Sequence, residues 1–375
     1  MIKSKIIIIG GGLSGLYAAY LLEQANFSDY LLLEARDRLG GRIFSSHGFD
    51  LGATWIWPEM NPQLMRLVNE LDLPVVEQAA NGDVIIEQSQ ATPPVRLSNH
   101  IWSTPSIRLK NGMDHLIQAL KQKIPANKIK MAQQVTDLIC HKPHEIEMTA
   151  QDHAEQKTTY QAHSILLAIP PRLAIQKIKF TPELPQYISQ QWQKTATWMA
   201  PHAKYLAIYP EPFWKQQGLS GQVRSYIGPM VEIHDASIPN DQAAFDQAAL
   251  FGFLGVPSTA RQKIDEKDLI VHCQAQLIRL FGSQAKKPEL ELLKDWSTDS
   301  FTATEADWMN PASIHAFSPD ITPTTSIWDN QIIGIASEWS KHHSGYLAGA
   351  VDATKVGIQY LFKNNQYIYR SGFKT

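Results

Sequence analysis

Cysteine is almost missing from this chain: Cys140 and Cys273 are the only two among 375 residues. Two thiols cannot build a disulfide framework, which excludes the small stapled class of secreted domains. An excess of charge of either sign is lacking as well. The 34 Lys and Arg stand against 36 Asp and Glu, a net charge of −2, so neither a nucleic-acid footprint nor a strongly acidic surface is indicated. Nowhere do about 18 apolar residues follow one another, and no integral membrane association is expected. Internal repeats, low-complexity tracts and long charge runs do not occur. The first apolar strand starts within five residues of Met1 with no leader before it, and the expected location is the cytoplasm.

What the chain does contain is enough apolar material, 44% of 375 residues, for about two packed domains. Its N-terminus carries the most informative pattern. A β-branched run, Ile6 to Ile9, is followed by Gly10-Gly11-Gly12-Leu13-Ser14-Gly15 and a small-residue helical stretch through Ala18, Ala19 and Leu22. In such a strand–turn–helix, Gly10 permits the turn and Gly12 leaves room for a pyrophosphate. Gly15 lets the helix sit close to the strand, so the helix N-terminus points at phosphate. The apolar run Tyr30 to Leu33 then delivers Glu34, nineteen residues after Gly15, where a carboxylate can accept from ribose hydroxyls. A polar connection follows from Ala35 and Arg36 to Gly40-Gly41-Arg42, whose backbone N–H groups and guanidinium can meet the same phosphates.

Further along, an amphipathic helix is predicted around Leu64, Leu67, Val68 and Leu71, with another through Leu116, Ile117 and Leu120. Apolar runs near residues 129–131, 134–139 and 164–169 read as strands of a doubly wound sheet with a small antiparallel attachment. From about Ala196 the character changes. Lys204 to Tyr209 and Phe251 to Leu254 read as strands, and Asp265 to Phe281 as a helix. The expected fold is therefore α/β: a Rossmann-like doubly wound domain (residues 1–60, 106–195 and 301–375) plus an α+β substrate domain with a mixed sheet (residues 61–105 and 196–300). Near the C-terminus, Gly345 and Gly349 flank Tyr346 in a pattern that lets a helix start approach a flat ring closely. The adjacent His342 and His343 lack a carboxylate or cysteine partner at ligand spacing, and no metal is expected.

Taken in order, several blocks resemble the flavin-containing amine oxidase family, which includes monoamine, polyamine and L-amino acid oxidases. They are the Gly10 fingerprint, Glu34, Gly40-Gly41-Arg42, Asp50 to Pro58, Asn111-Gly112-Met113, Ala168 to Pro171, Lys204 to Trp214, and Glu338 to Ala350. The resemblance implies FAD, held between a nucleotide domain and a substrate domain. It implies that Ser14 and Gly15 meet the pyrophosphate, Glu34 the adenosine ribose, Arg42 the phosphates and the backbone of Val135 the adenine. Ala35, Arg36 and Gly41 belong to the same cofactor-binding set. Gly52, Ala53, Thr54 and Trp55 would border the flavin ring, and Glu338 its ribityl or pyrophosphate region through water or arginine neighbours. Lys204 corresponds to the family lysine that holds a water against flavin N5. Tyr346 matches one wall of an aromatic cage for the amine, and Gly345 precedes it.

Three departures from the family pattern are visible. The position expected to carry the second cage ring falls near Ala306, with Phe301 and Trp308 as nearby aromatic alternatives. No cysteine lies between Phe301 and Trp308, so non-covalent FAD is expected. Only about fifty residues separate Trp57 from Asn111, which implies a reduced helical cap. The expected function is oxidation of a small-molecule amine to an imine with molecular oxygen as acceptor and hydrogen peroxide as product, by a monomer or homodimer. Two alternatives are an FAD-dependent C–C desaturase of the phytoene desaturase or protoporphyrinogen oxidase type, and a non-catalytic flavin-binding module.

Overall fold

The computed structural model describes residues 1–98, 104–238, 247–309, 318–324 and 326–364. At its centre lies a parallel sheet with strand order Ile129–Lys130, Tyr30–Leu33, Ile6–Ile9, Ser164–Leu167 and Ile332–Gly334. All four residues of Ile6–Ile9 are buried, because each face of the sheet is covered. Ile6 and Ile8 join a core with Leu16, Ala19 and Val351. Ile7 and Ile9 join another with Leu138, Met148 and Trp192. An unbroken isoleucine run is what a strand buried on both faces requires.

The chain moves outward from Ile6–Ile9 to Tyr30–Leu33 and Ile129–Lys130, then returns to the opposite side at Ser164–Leu167. That reversal creates a switch point beyond the carboxyl ends of these strands, where ligands of open α/β sheets bind. Gly10 and Ala168 meet there: a side chain on Gly10 would lie 2.9 Å from the Ala168 carbonyl oxygen, and Gly10 has φ +108°. The antiparallel attachment is the meander Gln134–Lys142, Glu145–Gln151 and Lys157–Ala162.

A seven-stranded mixed sheet forms the other large layer, ordered Leu290–Asp295, Ala203–Tyr209, Ala248–Leu254, Met230–Asp235, Leu219–Ser225, Asp83–Glu87 and Val95–Leu97. Strand periodicity divides Ala203–Tyr209 between two faces. Tyr205, Ala207 and Tyr209 pack in the core that includes Leu269, Cys273 and Leu277 of the helix Glu266–Phe281. Leu206 and Ile208 face Phe49 and Leu51, and Lys204 falls on the same side.

The sheet has more strands than the two apolar runs suggest. Leu219–Ser225 is rich in Ser, Gly and Gln and carries Gly221 at φ +83°, with a break in register between Leu219 and Val223. Such a strand has no clean alternation to read. The segment between Trp57 and Asn111 divides its allegiance. Leu64, Leu67 and Val68 of the helix Pro62–Glu70 pack in the core with Ile6 and Leu16, whereas Asp83–Glu87 and Val95–Leu97 extend the seven-stranded sheet. Among the described residues no helix is long and apolar enough to cross a membrane.

Candidate active site

Between the two large sheets lies a cavity of about 890 Å³, within the roughly 300–1,000 Å³ range of ligand sites. It collects residues from both ends of the chain. Gly10, Gly12, Ser14, Glu34, Arg36, Gly41, Arg42, Gly52, Ala53, Thr54, Trp55, Lys204, Gly345 and Tyr346 all line it. Gly15, Ala35, Val135 and Glu338 do not. Gly15 is committed to packing, since a Cβ there would lie 1.9 Å from the Gly10 carbonyl oxygen. Val135 places its side chain in the core beneath the sheet with Leu33 and Leu138. Glu338 is fully buried behind Arg42.

The nucleotide end is built by two glycine loops brought together. Gly40 N–H donates to the Gly11 carbonyl at 2.9 Å, and Gly12 bridges to Gly40. Glu34 is 3% exposed. Its Oε2 accepts from Gly11 N at 2.6 Å and its Oε1 from Arg36 N at 2.9 Å, which fixes the carboxylate while leaving lone pairs for two hydroxyls. Arg36 also lies 5.3 Å from the Phe301 ring centroid. Phe301 therefore borders the Glu34–Arg36 end of the cavity and not the Tyr346 end.

Gly12 supplies a direct test of whether a dinucleotide fits. Its φ of −76° suits any residue, and a Cβ would come no closer than 3.8 Å to any protein atom. Nothing within the protein demands glycine here. The added methyl would only take volume from the cavity, as expected where a pyrophosphate must approach the backbone.

Arg42 spans toward the C-terminal block. Its guanidinium pairs with Glu338 at 2.7 Å and donates to Ser337 Oγ at 3.0 Å. Removing one partner of such a pair leaves a buried carboxylate without its cation. Arg42→Met is expected to destabilise the cofactor-free protein by about 3 kcal/mol, measured as the change in urea midpoint at constant slope.

Lys204 is 1% exposed. Its Nζ donates to Thr54 Oγ1 at 2.6 Å and stands 4.0 Å from the Phe251 ring centroid. Burial pushes the ammonium down from 10.5 to about 7, with Asp50 opposing the fall and Arg108 adding to it. A buried lysine therefore opposes folding most strongly below pH 7, where it is charged in both the folded and unfolded states. As pH rises from about 7 toward 10.5, only the unfolded chain keeps the proton, and stability grows. Lys204→Met is expected to stabilise the cofactor-free protein by up to about 5 kcal/mol at pH 6, with the gain shrinking toward pH 10 in denaturant titrations.

Tyr346 is 39% exposed and precedes the helix Leu347–Asn364. The two glycines that flank it are packed closely against other parts of the protein. Gly345 has φ +83°, and a Cβ there would meet Trp198 at 2.4 Å, while one on Gly349 would meet the His343 carbonyl oxygen at 2.0 Å. Among the expected aromatic partners, Ala306 is exposed and lies off the cavity, whereas Trp308 lines it. Among the described residues, Trp57 stands against Tyr346, with centroids 6.1 Å apart and planes at 85°. Sequence reasoning missed Trp57, although its alternation with Trp55 in an extended segment was the available signal. His343 is not on the cavity wall. Its Nε2 lies 3.9 Å from Asp352, and among the described residues no three His, Cys, Asp or Glu side chains group to hold a metal. Neither cysteine lines the cavity.

Residues 87–355 match the model described as flavin containing amine oxidoreductase, and residues 8–71 match an NAD(P)-binding Rossmann-like domain. Mouse amine oxidase [flavin-containing] B is 22% identical over 94% of this chain and 84% of its own length. Polyamine oxidase 2 of Arabidopsis thaliana is 36% identical over 22% of this chain and 18% of its own. In fold, the chain is similar to putrescine oxidase bound to putrescine, with TM-score 0.77, 16% identity, and 97% of this chain and 100% of that one covered. Cyclohexylamine oxidase from Brevibacterium oxydans IH-35A gives TM-score 0.77 at 18% identity, covering 96% and 99%. With the fingerprint, the cavity and the family match in agreement, the chain belongs to the flavin containing amine oxidoreductase family and is an FAD-dependent enzyme.

Proposed function

We propose that this protein oxidises a small amine to an imine, with molecular oxygen as the electron acceptor and hydrogen peroxide as product. The observation that carries the reading is the burial of Lys204 in the wall of the cavity that also holds the dinucleotide fingerprint and Tyr346. FAD supplies the redox chemistry, accepting a hydride equivalent from the carbon next to the amine nitrogen. The protein supplies placement and charge.

In this reading Gly12 and Ser14 admit the pyrophosphate, Glu34 accepts from the ribose hydroxyls, and Arg42 presents its guanidinium from a position fixed by Glu338. Gly52, Ala53, Thr54 and Trp55 border the ring system. Tyr346 offers a ring face to the incoming amine, whose cationic form is drawn by the quadrupole. The helix Leu347–Asn364 begins at the cavity and directs its positive end there, favouring negative charge on the neighbouring group. Lys204 holds a proton or a water at the reacting face and favours charge developing on dioxygen. With no cysteine on the wall, the cofactor is held without a thioether. Lys204 and Tyr346 on one cavity favour amine oxidation over C–C desaturation and over a non-catalytic flavin binder.

Anaerobic mixing with a panel of primary and secondary amines tests the reading. At least one amine should bleach the visible flavin band, and admitting air should restore it with release of peroxide. A flavin that no amine bleaches would refute amine oxidation, and bleaching without peroxide would refute dioxygen as acceptor.

A further inference from the structure

A second, smaller chamber of about 200 Å³ adjoins the main cavity, and Trp55, Trp57 and Glu232 line both. Alone it falls below the roughly 300 Å³ that small-molecule sites ordinarily occupy. It has the size of an extension. We propose that Trp57 is a specificity-determining residue whose indole separates this side chamber from the amine site and so limits the uncharged alkyl or aryl tail the amine can carry, the chamber accommodating a longer tail once the indole is shortened. The proposal rests on the amine reading above and deepens it.

The two tryptophans of the partition are held differently. Trp55 is anchored, its indole N–H donating to Gln78 Oε1 at 2.7 Å while Gln78 Nε2 donates to the Asp235 carbonyl at 2.8 Å. Around it pack His234, Phe251 and Phe253. Trp57 is half-buried, tilted against Trp55 at 6.3 Å and edge-on to Tyr346 at 6.1 Å, with no side-chain hydrogen bond among these contacts. It is thus the element of the wall that can be shortened without cutting the hydrogen-bonded frame.

The tail should be uncharged because the chamber's charges cancel. Glu232, held below the usual carboxylate range by His234 and Arg224 despite its burial, pairs with Arg224 at 2.6 Å. Burial pushes His234 down, against the pull of Glu232 and with Lys204 and Arg224 adding to the fall, which favours the uncharged imidazole. Gln78, Gln222, Ser106, Val84 and Val223, none of them charged, form the rest of the wall. A second ammonium would find no unbalanced carboxylate, whereas a methylene chain would find aromatic faces.

The test uses the FAD-loaded protein, wild type, Trp57→Ala and Trp57→Leu, each with and without Ser106→Phe to fill the chamber. Flavin difference spectra give Kd for alkylamines from butylamine to dodecylamine and for the matching terminal diamines, and anaerobic bleaching gives reduction rates. Each methylene buried is worth roughly fourfold in affinity. Trp57→Ala and Trp57→Leu should therefore shift the long-to-short preference in Kd by at least about tenfold toward long monoamines, and Ser106→Phe should erase the shift. A uniform loss across all lengths, a gain that survives Ser106→Phe, or a larger gain for diamines would overturn the assignment. Binding without bleaching in every variant would refute the oxidase reading while the Kd pattern still decides the chamber.

Discussion

Replacing Lys204 by methionine should slow reoxidation of the reduced protein by dioxygen about a hundredfold, the scale of removing one preorganised electrostatic group from a catalytic site. The Lys204 side chain is 1% exposed, and around its Nζ stand Thr54, an uncharged hydroxyl, and the rings of Phe251 and Phe253. Methionine matches the stem in length, so the wall keeps its shape and loses its charge. Stopped-flow mixing of the anaerobically reduced protein with oxygenated buffer measures the effect directly. Reduction by amine should change by less than about tenfold, since a charge helps most where charge is developing.

The pH dependence of that rate carries the sign. The protonated form of Lys204 exists below its pKa of about 7, and negative charge on a reduced cofactor beside it would move that value upward. The wild-type reoxidation rate should therefore fall as pH rises through a point at or above about 7. Lys204→Met should show no such fall. Equal rates in the two proteins at every pH would remove Lys204 from the oxidative step.

The second large effect separates two glycines of one fingerprint. Gly12→Ala should leave the stability of the cofactor-free protein within about 1 kcal/mol of wild type, because its φ suits alanine and the nearest protein atom stands 3.8 Å away. FAD affinity should nonetheless drop at least about a hundredfold, since the methyl lies where the pyrophosphate approaches the backbone. Gly15→Ala should fail differently. A Cβ 1.9 Å from the Gly10 carbonyl oxygen and 3.3 Å from Ala168 Cβ must push the helix Leu13–Gln24 off the sheet, costing about 3 kcal/mol or more even without cofactor. Thermal melts of the cofactor-free proteins and FAD titrations distinguish the two. Equal loss of stability in both variants would show that Gly12 serves the fold and not the ligand.

The parts of this protein that were legible in the sequence are those whose information is local. Strand, turn and helix from Ile6 to Gln24 follow from a β-branched run, three glycines and a small-residue stretch, and Glu34 follows from one short strand. Lys204 could be singled out because its block runs on to Glu211-Pro212-Phe213-Trp214 at family spacing. The non-local features were hidden. Asp83–Glu87 pairs with Leu219–Ser225 across more than a hundred residues, and no pattern in either segment names the other. The position near Ala306 where a second ring was expected is exposed and off the cavity, Phe301 stands beside Arg36, Trp308 lines the cavity, and Trp57 stands edge-on to Tyr346.

By itself the sequence determined the dinucleotide turn, the double burial of the parallel strands, and the inventory of groups available for chemistry, because glycine tolerance and side-chain period act over a few residues. Only the tertiary structure decided which of those groups share a cavity, that Lys204 loses its water and with it most of its preference for the charged form, and that Arg42 is fixed by Glu338. Those outcomes depend on distances between segments far apart along the chain. They exist only once the core has closed around them.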